Sequence, residues 1–208
     1  RVFGDNAFGW RYPAAIFGAL CLVGIYLCGL ALFSGQAPAI AACLIASFNQ
    51  MLFVQSRIAM LDIFALAFAL FGVAAFMQGY RRVRPHAHFA ASGLAFGFAA
   101  ACKWSGLFPL AAAIAIIAAV RLLQGWRATF ADGDASDWYR PNLWPDFRAY
   151  HFAACFVALP GLAYLSSFVA LYGLSLSDIL EAQRRIFADN TTSAIASHTY
   201  MSSWPSWP

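Results

Sequence analysis

Charge is what this sequence has least of. Only 11% of its 208 residues are Asp, Glu, Lys or Arg, and 62% are hydrophobic; soluble domains carry about 25% charged residues. No water-soluble core hides that much apolar surface, which excludes a soluble enzyme or binding module. Metal-ligand and disulfide spacings are also missing. The cysteines Cys21, Cys28, Cys43, Cys102 and Cys155 fall inside apolar runs without CxxC or Cys/His spacing, so they read as small buried hydrophobes. The formal charge of +4 is modest. Its basic residues sit in gaps between apolar runs rather than along one face, so no nucleic-acid partner is expected. The sequence requires no cofactor, and a divalent metal is left open.

What is present is a series of apolar runs, several of which reach the roughly 20 residues that cross a bilayer. They cover 13–33, 37–54, 61–77, 89–101, 107–123 and 151–172. The expectation is an all-α polytopic membrane protein with about six transmembrane helices, whose partner in the first place is membrane lipid. A connection of a few residues makes the first two runs an antiparallel hairpin. Lys103-Trp104-Ser105-Gly106 interrupts an apolar stretch too long for one perpendicular helix, so the chain turns there. After the last run, Leu176, Ile179, Leu180, Ile186 and Phe187 recur at helical spacing, with Ser175 and Asp178 placed as a capping pair. This predicts an amphipathic helix, lying on the membrane surface or packed on another domain. The domain division expected is 1–173 for the membrane helices and 174–208 for an external helix and loop.

The dense cluster Arg81, Arg82 and Arg84 tips the orientation toward an internal 78–88 loop, although the positive charges are otherwise nearly balanced. Asp5, Arg11, Arg57, Asp62, Lys103 and His198 then all fall on the external side. Ionisable groups are costly in a bilayer, so their gathering at one depth suggests a polar cavity. Arg57, Lys103 and Arg11 together suit a phosphate, with forked guanidinium donors and a compact ammonium. Singly, each is as well read as a snorkelling residue at a span end, and Asp62 as a partner of Arg57. Trp104 is a supporting candidate, while Trp10, Trp126, Trp138 and Trp144 read as interface anchors. The segment HTYMSSWPSWP at 198–208 is a rigid polar-aromatic loop that suits a sugar or an extended peptide, or else anchors in the membrane surface. Asn190-Thr191-Thr192 fits a glycosylation sequon, a motif short enough to arise by chance.

Four segments in order, FGDNAFGWRYPAAIFGAL, SRIAMLDIF, GLAFGFAAACKWSGLF and HTYMSSWPSWP, resemble the protein O-mannosyltransferases that use a polyprenyl-phosphate mannose donor. The likeness covers nearly the whole chain and fits the bacterial type better, because no large folded module follows the last span. The resemblance implies a C-type glycosyltransferase fold in the cell (inner) membrane, with the active face external. It implies mannose transfer from the lipid-linked donor to Ser or Thr of a secreted or membrane protein. Carried over by position, Arg11 opens the family's second span, Arg57 and Asp62 fill its Ser-Arg-to-Leu-Asp motif, and Lys103 fills its Lys-Trp-Ser-Gly. His198, Tyr200, Ser202, Trp204 and Trp207 match its terminal pattern. Thr199 stands where Pro is usual and Pro205 where a second Trp is expected. The resemblance also implies that the catalytic carboxylate lies upstream, on an Asp-Glu loop before Arg1, and that further spans follow; the 208 residues alone are then expected to be inactive. Two rivals stand beside this reading: an enzyme moving another lipid-linked sugar onto a lipid or glycan, and a transporter or flippase. The second predicts internal repeats, and none is convincing.

Overall fold

The computed structural model describes residues 7–33, 35–58, 60–130, 143–173 and 175–192, with side chains described except at 7, 8, 10, 127–130 and 189–192. The helices are α1 (Ala7–Leu32), α2 (Gln36–Ser47), α3 (Gln50–Gln55), α4 (Leu61–Tyr80), α5 (His86–Cys102), α6 (Leu107–Phe130), α7 (Ala149–Ala153), α8 (Leu159–Tyr172) and α9 (Leu176–Thr192). A single 3-10 turn, Trp104–Gly106, joins α5 to α6, and a π turn, Ala154–Ala158, joins α7 to α8. No strand interrupts them among the described residues. This is an all-α polytopic membrane protein.

Four stretches among the described residues are long and apolar enough to cross a bilayer: Arg11–Leu32, Leu61–Tyr80, Trp104–Trp126 and Ala149–Tyr172. Of the six apolar runs, these four form stretches of that length, and the other two, 37–54 and 89–101, form shorter helices. The run at 37–54 does not form one helix, because Asn49 ends α2 and caps α3, its Oδ1 accepting from the Leu52 N–H at 3.0 Å. The run at 89–101 forms most of α5, which is 17 residues long. At 1.5 Å per residue it is about 25 Å long, at the lower limit for a span.

The described contacts divide into two compact units, 1–165 and 166–208. In the first, the Cys21 and Cys28 thiols donate to the Ile63 and Leu70 carbonyls at 3.6 and 3.4 Å, the same 42-residue offset. α1 and α4 consequently run parallel, with α2 and α3 making the return path. α4 and α5 are antiparallel: the space where Gly72 has no side chain is filled by the Phe96 ring, and that at Gly79 by Phe89. α5 then lies against the 154–163 stretch through Gly93 and Gly97. A Cβ on Gly93 would overlap the Cys155 carbonyl, so backbone seats directly on backbone there. Pro160 supplies no N–H for the Phe156 carbonyl four residues before it, and the wider π turn accommodates the defect.

The densest packing gathers Phe89, Phe96, Phe156, Leu110, Ile117 and Trp144 at and below this crossing. Trp144 is fully buried, with φ +58, the left-handed region that costs a non-glycine residue about 1–2 kcal/mol. Two groups hold it there: its indole N–H donates to the Tyr80 carbonyl at 3.2 Å, and its own carbonyl accepts from Arg121 at 3.1 Å. Trp144 is thus a packed core residue, not the interface anchor expected from its sequence position.

In the second unit, α9 forms where the helical spacing predicts it. The Asp178 N–H donates to Ser175 Oγ at 3.4 Å, half of the expected capping pair, and Glu181 pairs with Arg185 one turn on. Ile179 and Ala182 are buried, while Leu176, Leu180 and Phe187 are exposed.

Candidate functional site

The Lys-Trp-Ser-Gly segment is built from local causes. α5 ends at Cys102 because Lys103 turns extended, at φ −157 and ψ 136. The Gly106 N–H then closes the turn onto the Lys103 carbonyl at 2.8 Å. A side chain on Gly106 would strike the Ala99 backbone, so only glycine lets the returning chain lie this close to the end of α5. Pro109 falls within the first turn of α6, where its missing N–H costs no helical bond. The lysine is left projecting at the end of the helix pair, half-exposed.

Its ammonium meets the carboxylate of Asp62. Asp62 sits in the first turn of α4, where no side chain caps the helix and a negative charge is favoured by the helix dipole. The antiparallel register of α4 and α5 brings the two together across 41 residues of sequence. This replaces the expected pairing of Asp62 with Arg57. Arg57 follows α3, five residues before Asp62; its guanidinium lies 5.3 Å from the Phe53 ring centroid and is exposed. Lys103 is the chain's sole lysine.

Arg57, Asp62, Lys103 and Trp104 therefore share one end of the first unit. Arg11 lies toward the same end but is not gathered with them. The α1–α4 register puts Leu20 level with Asp62, and Arg11, nine residues earlier, lies about 13 Å further out along the helix. His198, Tyr200, Ser202, Trp204 and Trp207 lie outside the described residues, as do Asp5 and Trp138.

Beside Lys103, Trp104 turns inward and donates its indole N–H to the Tyr164 hydroxyl at 3.1 Å. The pair heads an apolar groove of about 440 Å³, lined along its length by Gly97, Ala100, Leu107, Phe156 and Pro160. Tyr164 was not singled out by sequence, although a hydroxyl-bearing ring within an apolar run is a signal that could have found it. The arrangement offers an ammonium paired with one carboxylate at the head of an apolar groove, with the Arg57 guanidinium at the same end of the unit. Such a set can hold an anion that carries a long apolar tail.

The opposite end holds another cationic centre, where sequence reasoning singled out Arg81, Arg82 and Arg84 but passed over Arg121. Arg121, deep in the sixth apolar helix, donates to the carbonyls of Leu143 (3.5 Å), Trp144 (3.1 Å) and Phe147, and to Gln124 Oε1 at 3.1 Å. Arg81 donates to the Leu32 carbonyl at 3.1 Å, and Arg84 stands 3.9 Å from Asp146. A charge inside an apolar run was its visible sign.

Comparison with known proteins supplies the context for this geometry. The chain is similar to the polyprenol-phosphate-mannose–protein mannosyltransferases of two Mycolicibacterium smegmatis strains, ATCC 700084 / mc(2)155 and MKD8. Each is 26% identical over 129 residues, covering 51% of this chain and 25% of the relative. The chain thus spans about a quarter of the length of the curated relatives it matches. No solved structure matches it. The family model described as dolichyl-phosphate-mannose-protein mannosyltransferase matches residues 1–171, most of the chain, and the chain belongs to that family.

Proposed function

We propose that the complete protein transfers mannose from a polyprenyl-phosphate mannose donor to Ser or Thr hydroxyls of proteins, at the outward face of the cell membrane. The observation that carries this reading is the Lys103–Asp62 pair beside the groove headed by Trp104 and Tyr164. A polyprenyl phosphate is an anion on a long apolar tail, and these two features suit its two parts. Family membership and the names borne by the M. smegmatis relatives support the same substrate class.

In the reaction, the acceptor oxygen forms a bond to the anomeric carbon while the bond from that carbon to the donor phosphate breaks. The hydroxyl proton passes to a carboxylate base, and the electron pair leaves on the phosphate. Lys103 and Arg57 act on the second event by stabilising charge as it develops on the departing phosphate. Asp62 positions the Lys103 ammonium and is already engaged by it, so the base is a different carboxylate. Arg11, lying further out, meets the outer part of the donor or acceptor. The 198–208 loop, with His198, Tyr200, Ser202, Trp204 and Trp207, provides the contact to the sugar or the acceptor peptide. The exposed Leu176, Leu180 and Phe187 of α9 suit a helix resting on the membrane surface.

The deciding experiment incubates the purified complete protein with radiolabelled polyprenyl-phosphate mannose and a Ser/Thr-rich peptide. Label on the peptide is the expected result. Label on a lipid or glycan instead would replace the acceptor in this reading. Movement of intact donor between leaflets without bond cleavage would identify a flippase.

A further inference from the structure

The Arg121 end carries a second groove, of about 530 Å³, between α6 and the 145–152 stretch. Ile117, Ala118, Phe147 and Phe152 form its apolar walls, and Arg121 and Arg148 stand in its lining. Around it, the described residues of this end present Arg81, Arg82, Arg84, Arg121 and Arg148 against Asp146 as the sole carboxylate. Arg121 has most of its donors on backbone carbonyls and supplies charge from a fixed place. Arg148 is exposed at the start of α7, and no ion pair engages it among the described residues. The groove lies at the end of helices long enough to cross a bilayer, so what fills it comes from the adjoining leaflet. Neutral lipid satisfies the walls and leaves the Arg148 guanidinium unanswered. Free phosphate does the reverse.

We propose that this groove is a binding site for one anionic glycerophospholipid, with an acyl chain along Ile117, Ala118 and Phe152 and the headgroup phosphate on Arg148. Charge complementarity selects the occupant: a partner apolar along most of its length and negative at one end matches both halves of the site. The site is separate from the Lys103 end and does not rest on the transferase reading.

Native mass spectrometry of the purified complete protein, exchanged into detergent with phosphatidylglycerol or phosphatidylcholine, tests it. One phosphatidylglycerol per chain should be retained in preference to phosphatidylcholine. Arg148→Gln should lower that retention about fivefold, the worth of one surface cation near an anionic lipid. Ala118→Trp, which fills the groove without touching charge, should bring phosphatidylglycerol retention down to the phosphatidylcholine level. Arg82→Gln removes the same charge outside the groove and should leave retention unchanged. Equal retention of the two lipids by the unaltered protein overturns the proposal. So does a loss in Arg82→Gln matching that in Arg148→Gln, because that pattern belongs to diffuse attraction rather than a site. Since Arg148 and Ala118 are both exposed, a thermal midpoint matching the unaltered protein verifies that each variant is folded.

Discussion

At the Arg121 end of the first unit, two guanidinium groups, those of Arg121 and Arg81, close onto backbone carbonyls, whereas at the Lys103 end the cations face side chains and solvent. Arg121 reaches the carbonyls of 143, 144 and 147, and Arg81 that of Leu32. Among the described residues, Lys103 meets the Asp62 carboxylate and Arg57 the face of Phe53. A cation fixed to several carbonyls holds a chain in shape and has little freedom to answer a ligand. One in an exposed pair can exchange its partner, since such pairs contribute no more than about 1 kcal/mol. Arg121 and Arg81 are thus tied to the main chain, whereas Lys103 and Arg57, like the exposed Arg148, keep their charge on side chains and solvent.

Substitutions at the two ends should separate along this line. The largest effect is expected for Lys103→Ala or Arg57→Ala in the complete protein. Mannosyl transfer should fall on the order of 100- to 1,000-fold, as for loss of one donor to a developing anion, while the thermal midpoint barely moves. Near-normal transfer would remove these residues from the site. Arg121→Met should do the converse. It orphans several carbonyls around Trp144 and should cost about 3 kcal/mol of stability, seen as a lowered thermal midpoint in detergent. Transfer per folded molecule should stay unchanged.

Asp62→Asn tests whether the carboxylate positions the lysine. A roughly tenfold loss of transfer is expected, from a cation that is present but no longer held in place. An effect as large as that of Lys103→Ala would instead make Asp62 a direct participant. The smallest change is expected for Trp104→Phe, which keeps a smaller aromatic ring and removes the bond to Tyr164. About 1 kcal/mol of stability should be lost, and transfer should fall only severalfold. A null result would show that the head of the groove is held by packing alone.

The extended apolar runs were legible because lipid as solvent leaves a signal in composition, and 13–33, 61–77, 107–123 and 151–172 each lie, to within a residue, inside a helical stretch able to cross a bilayer. The turn at Lys103–Gly106 was equally visible, since four polar or small residues inside an apolar stretch have few alternatives. The break at Asn49 was written in the sequence but outweighed by the hydropathy around it. The Asp62 partner was not legible. It depends on the α4–α5 register, which is set by rings filling the spaces at Gly72 and Gly79, and helical periodicity carries no information about which residues meet across two helices. Trp144 was misread for a related reason. Its burial follows from the Tyr80 carbonyl and Arg121 closing around it, a long-range arrangement in a stretch that looks like a polar loop.

The seating of Gly93 on the Cys155 carbonyl also limits how the groove beside Lys103 can widen. With two main chains interlocked and no flexible side chain between them, sliding one helix along the other would require climbing over a peptide group. The crossing is therefore a fixed point of the helix pair, and the Trp104–Tyr164 head of the groove stands further along α5, at the end where the chain turns at Lys103.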